Sequence, residues 1–195
     1  QAQALKEALS DRDCRRFLLA YLFYEDGVNT VIVFSSIFAA STLGCTDSEL
    51  ILLYLIVQAT ALAGSFIVAR SIDQRGPKRV VQGTLVLWAA VAAVTYLVQT
   101  KAAFFVVASL AGLGLGSIQA ASRAFFSQFI PAGMESRYFG LYSLVGKSSA
   151  ILGPLLFGYV SAHTGSQRPA VLAVALFFLL GLVLIHGVRK GGPNV

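Results

Sequence analysis

The chain has 195 residues, of which 56% are hydrophobic and only 12% charged, about half the charge of an ordinary soluble domain. That balance excludes a water-soluble globular fold and points to a membrane protein, with 14 Phe for lipid-facing surface and 18 Gly for close helix contact. The net charge of +6 does not describe a nucleic-acid surface, because Lys and Arg gather at the ends of apolar segments rather than along a stripe.

The opening stretch, QAQALKEALSDRDCRR, is too polar for the apolar part of a signal peptide. Residues 1–16 are expected to be a cytoplasmic lead or inter-domain linker, and a start at Gln1 rather than Met suggests a piece of a longer protein. A spanning helix needs about 20 mostly apolar residues. Successive runs meet that length from Phe17 to about Ala40, about Leu50 to Ile72, Val80 to Val98, Ala102 to Phe126, about Tyr138 to Val160, and Pro169 to His186. They predict a six-helix transmembrane domain over 17–188 and a tail over 189–195. The runs are too long for barrel strands and lack period-two alternation. The connections, among them DQRGPKR and IPAGMESR, are short and rich in turn formers.

The first span contains YEDGVNT, so Glu25 and Asp26 lie within an apolar helix, followed by Gly27, Asn29 and Thr30. The fourth span carries Gln119, Ser122 and Arg123, and the fifth carries Lys147 followed by Ser148 and Ser149. A charge at a helix centre in a bilayer costs at least about 2.5 kcal/mol and persists where it pairs or lines a polar path. Helix rise puts Asp26 and Lys147 roughly 15 Å, and Arg123 roughly 12 Å, from one membrane face. Asp26 can therefore reach Lys147 or Arg123. Two adjacent acids cannot point the same way on a helix; Asp26 is the expected cavity-facing one, with Glu25 as the alternative. Desolvation penalises a bare carboxylate at this depth, which makes it a candidate proton carrier. Glu25, Asp26, Asn29, Gln119, Arg123 and Lys147 thus form the expected substrate or ion path, and Arg123 can anchor a substrate carboxylate or phosphate.

Small residues supply packing and kink sites. Gly112 and Gly116 have GxxxG spacing, and GPLLFG brings together Gly153, Pro154 and Gly158. Gly112, Gly114 and Gly116 lack the strand–helix setting of a dinucleotide fingerprint. Lys6, Arg12, Arg15, Arg16, Arg70, Arg75, Lys78, Arg79, Arg137, Arg189 and Lys190 fall on one side, against Lys101 and Arg168 on the other. That bias puts both termini in the cytoplasm. Cys14 and Cys45 lie at opposite ends of the first span and are not expected to pair. No metal-ligand spacing or Ser-His-acid set stands out, so the expectations are no enzyme, no cofactor and no metal.

The loop ARSIDQRGPKRV resembles the signature loop of the major facilitator superfamily, with Asp73, Gly76, Lys78 and Arg79 matching. Ala69 stands at the expected first Gly, Gln74 at an expected basic position, and Arg75 one place later, as in the weaker second-half copy of that signature. FLLAYLFYEDGVNTV, GSIQAASRAFFSQFIP and SRYFGLYSLVGKSSAILGPLLFG are similar to the UMF1 branch of the superfamily, which includes the fungal autophagy-related vacuolar amino-acid exporters. The resemblance covers nearly the whole chain and implies the C-terminal six helices of a twelve-helix secondary transporter. Its missing partner would be an N-terminal six-helix half, and a homodimer of the isolated half is the alternative assembly. A small solute, for which an amino acid is one candidate, would cross by alternating access with proton coupling in a bacterial inner membrane. Asp73, Arg75, Gly76, Lys78 and Arg79 would then act as a gate or latch loop meeting a neighbouring helix end, acidic groups or lipid. The competing expectations are a channel or scramblase-like protein, and a structural or regulatory membrane module with its charges as packing glue.

Overall fold

A computed structural model describes residues 10–189. The expectations for 1–9 and 190–195, including the sidedness of Lys6 and Lys190, fall outside the described residues. Within them the fold is all α, with six spans long and apolar enough to cross a membrane.

In chain order the helices are α1 (Arg12–Ser41), α2 (Asp47–Arg75), α3 (Pro77–Leu97), α4 (Lys101–Ser127), α5 (Glu135–Ser148), α6 (Leu152–Thr164) and α7 (Gln167–His186). α1, α2 and α7 begin a few residues before the apolar run behind polar caps. Asp11 accepts from the Asp13 and Cys14 amides at 2.8 and 3.2 Å. Thr46 and Glu49 form a reciprocal capping box. Gly76 and Pro77 join α2 to α3: Gly76 takes φ +79°, and Pro77 needs no partner for an N–H it lacks.

The fifth span is not the single helix expected from Tyr138 to Val160. It divides into α5 and α6 around residues 149–151. Pro154 explains the position, because it cannot donate to the carbonyl of residue 150 and its ring crowds that carbonyl. The break thus falls just ahead of GPLLFG.

The two halves of the broken span lie against α1, which also packs along α7. α3 packs on both α7 and α4, and α2 lies along α4. The core is aromatic. Phe17 meets Phe125 edge-on with ring centroids 5.1 Å apart, and Trp88 stacks on Phe178 at 5.4 Å. α2 and α4 approach closely through Gly64, Gly112 and Gly116. Phe66, Leu97 and Val183 are among the large apolar side chains left on the outside, where lipid replaces water as solvent.

Candidate functional site

Rotation about α1 separates the two acids. Glu25 turns toward α4, where its Oε1 accepts from Gln119 Nε2 at 2.8 Å. Its Oε2 is buried without a hydrogen-bond partner. Arg123, one turn beyond Gln119, is exposed and close enough to act electrostatically on Glu25 and on Tyr142 of α5. Tyr24 and Ser122 share a hydrogen bond of 2.7 Å beside this pair. Tyr21 stacks on Tyr142 at 4.2 Å and completes a polar aromatic wall.

Asp26 turns instead toward the break in the fifth span. Its Oδ2 accepts from the Gly153 amide at 2.9 Å, with the Ile151 and Leu152 amides close by. Its Oδ1 is buried without a partner. Asn29, one turn along, donates to Ser149 Oγ at 3.3 Å. A Cβ on Gly153 would lie 1.9 Å from Thr30 Oγ1 and 2.9 Å from Asp26 Oδ1. A hydrogen there is therefore a packing requirement.

The depth arithmetic allows Asp26 to pair with Lys147 or Arg123, but neither pair forms. Among the described residues Asp26 and Glu25 have no ion-pair partner within 4.0 Å. Asp26 is committed to backbone amides of α6, and Lys147, in the last turn of α5, is exposed. The structure thus brings Glu25, Gln119 and Arg123 together on one side of α1. Asp26 and Asn29 sit on another, and Lys147 stands apart.

Beyond the acids, toward the end opposite the termini, lies a largely apolar cavity of about 390 Å³. Thr30, Phe34, Phe38, Trp88, Phe104 and Phe157 are part of its wall. Phe34 and Phe157 stack at 3.9 Å, joining α1 to α6. Thr30 donates to the Asp26 carbonyl at 2.7 Å, so the cavity begins next to the acid layer.

The signature-loop residues divide in the same way. Asp73, Arg75 and Arg79 are exposed and Gly76 is buried at the α2–α3 junction. Lys78 donates to the His186 carbonyl at 3.2 Å and to the Val188 carbonyl. Arg16 reaches the Gly187 carbonyl at 2.7 Å. Two cations thereby satisfy carbonyls left open at the end of α7, the end favoured by positive charge. Lys78→Ala is expected to destabilise the bundle by about 1–2 kcal/mol, read as a lowered midpoint of thermal unfolding in detergent. Gly112 and Gly116 lie in the α2–α4 contact, Gly153 and Pro154 open α6, and Gly158 faces open space.

Sequence reasoning did not single out Tyr21, Tyr24 or Tyr142. The available signal was three tyrosines in the two spans that also carry an acid pair and a lysine. Tyr21 and Tyr24 are three residues apart and share a helix face.

Among the described residues no cluster of three or more His, Cys, Asp or Glu is arranged to hold a metal ion.

Residues 1–191 match a protein family described as vacuole effluxer Atg22 like. The uncharacterized MFS-type transporter YxiO of Bacillus subtilis is 32% identical over 183 residues, covering 94% of this chain and 42% of its own length. Autophagy-related protein 22 of Kluyveromyces lactis is 29% identical over 196 residues, covering 95% and 40%. Autophagy-related protein 22-1 of Aspergillus niger is 29% identical over 197 residues, covering 92% and 32%. The chain spans less than half the length of these relatives.

Proposed function

The chain belongs to the Atg22-like vacuole effluxer family, and from that membership we propose that it works as the C-terminal half of a secondary active transporter. Its six spans would sit in a cell membrane with both termini cytoplasmic, opposite a second six-helix half that completes the path. Substrate would cross between the halves by alternating access.

The observation that carries this reading is the Glu25–Gln119–Arg123 group. A buried carboxylate held by one amide, with a second oxygen unpartnered, lies within electrostatic reach of an exposed guanidinium one turn beyond that amide. Packing glue would pair the acid and the base directly. Here each keeps capacity for something else. Glu25 Oε2 can accept from a proton-carrying or ammonium group, and Arg123 can hold a carboxylate in two parallel bonds. The two together suit a small zwitterion, which makes an amino acid the proposed substrate class and a proton the proposed coupling ion.

The test is flux of a mixed amino-acid pool through proteoliposomes holding the full-length transporter, with and without an imposed pH gradient. Glu25→Gln keeps the shape and the Gln119 contact but removes the titratable group. Gradient-driven flux is expected to fall at least about tenfold while the protein still elutes as a folded species. Undiminished flux in Glu25→Gln would return the acid to a structural role, and a pore that passes solute without saturation would favour a channel.

A further inference from the structure

α6 starts in the middle of the fifth span with no side chain of its own segment capping it. A helix that begins there leaves its first amides without intrahelical acceptors. In a membrane core those amides need a partner from elsewhere, because water is not at hand. The partner is Asp26, whose Oδ2 lies 2.9 Å from the Gly153 amide although 127 positions separate the two residues in sequence. The negative carboxylate also faces the positive end of the α6 dipole.

Residues of α1 touch both edges of the break. On the α5 side, Tyr21 Oη would lie 2.6 Å from a Cβ on Gly146, and Asn29 bonds Ser149, whose hydroxyl in turn donates to the Gly146 carbonyl at 2.6 Å. On the α6 side sit Thr30 and Asp26. Of these contacts only the one at Asp26 can lose a charge by taking a proton within the ordinary pH range.

Building on the transporter reading, we infer that Asp26 is a protonation-controlled clasp on the hinge of the fifth span rather than a substrate ligand. As a carboxylate it holds the start of α6 against α1. Once protonated, it keeps only a neutral and weaker acceptor for the same amides, and α6 is freed to swing about residues 149–151. Phe157 rides on α6, so the swing separates it from Phe34 and changes the wall of the 390 Å³ cavity beyond the acids. Proton binding at Asp26 would thereby open or close one end of the path, while Glu25 and Arg123 meet the solute.

Other charges near this layer are few. Glu25 precedes Asp26 on α1, Arg123 of α4 lies toward Glu25 and Tyr142, and α5 contributes Tyr142 and Lys147. In α6 the ionisable groups are Tyr159 and His163, toward its far end; those of α7 are Arg168 and His186 in its terminal turns, and α2 adds Tyr54 in the cavity wall besides Asp47, Glu49, Arg70, Asp73 and Arg75 nearer its ends.

Hydrogen exchange of the full-length transporter in lipid nanodiscs tests the clasp without any substrate. Rates are divided by the intrinsic rate at each pH, and the segment 149–157 is compared with α7. In the wild type, protection of this segment is expected to fall about tenfold as the pH is lowered, with α7 unchanged. Asp26→Asn should show the low protection at every pH, and Glu25→Gln should keep the wild-type response. Protection of 149–157 that ignores both pH and Asp26→Asn overturns the clasp. So does a loss shared equally by α7, which would make Asp26 a general core residue. Should Asp26→Asn fail to accumulate, the wild-type profile against that of Glu25→Gln decides alone: a response lost with Glu25 overturns the assignment. Flux that fails while the segment responds removes the transport reading and leaves the clasp standing.

Discussion

Gly116→Leu is expected to abolish accumulation of the folded bundle. A Cβ at this position would lie 1.7 Å from the Ala61 carbonyl oxygen and 2.9 Å from the Ser65 amide nitrogen. Both are backbone atoms of α2, so no rotamer change relieves the overlap and the helices must move apart. The neighbouring contacts offer no slack. A Cβ on Gly112 would sit 2.6 Å from the Val57 carbonyl oxygen, and one on Gly64 would sit 2.3 Å from that of Leu113. α2 has little other anchorage, since Leu53, Gly64 and Val68 are its buried residues and most of its length faces outward. Forced overpacking of this kind costs about 1–3 kcal/mol even for small additions. Gly116→Ala should therefore already lower the thermal midpoint in detergent, and the leucine variant should elute as aggregate. Gly83→Ala is the control. Nothing lies within 4 Å of a Cβ there, and a helical Gly replaced by Ala gains up to about 1 kcal/mol. A Gly116→Leu protein with wild-type stability would show that the α2–α4 contact is not formed as described.

Arg123→Ala should have the largest effect on transport. The guanidinium is exposed on the bundle face that carries Gln119, has no ion-pair partner among the described residues, and acts electrostatically on Glu25 and Tyr142. If it binds the carboxylate of the solute, its removal forfeits charge-assisted hydrogen bonds that contribute about 1.5–3 kcal/mol. Flux at low substrate concentration should fall by about tenfold to a hundredfold. Arg123→Lys should recover only part of it, because an ammonium lacks the planar fork that meets a carboxylate in two bonds. Stability should hardly change, since the side chain packs into no core. A variant that transports normally but melts early would mean that Arg123 braces the bundle instead. The pairing of Arg123→Ala with Glu25→Gln adds a further check: two groups that grip one solute should lose less together than the sum of their separate losses.

Both predictions rest on features that the sequence shows unequally. Gly112 and Gly116 are visible as a spacing, and so is the need for a close neighbour. That the neighbour is α2, and that Gly64 answers from the other side, is not. Gln119 and Arg123 stand out as polar residues four apart on one helix face, while their acid partner could be either member of the Glu25–Asp26 pair. Depth and spacing favour Asp26 as the cavity-facing acid. The folded chain turns Glu25 to Gln119 and gives Asp26 to a backbone amide. The fifth span shows the same limit. Gly153 and Pro154 announce a kink, but its form, two helices with an acid from another span at the joint, depends on what packs beside it.

The spans themselves were readable because their cause is local. A backbone in lipid must satisfy its own N–H and C=O groups, so a long apolar run is a helix whatever surrounds it. The bias of Lys and Arg toward one side, and the capping residues at Thr46 and Gly76, act over a few residues and are equally local. The setting of each helix about its axis is not. Neighbouring residues project about 100° apart, and in spans that are apolar nearly all round no hydrophobic stripe fixes which face turns inward. Only packing against the other helices chose that angle, and with it which acid meets Arg123 and which one holds the hinge.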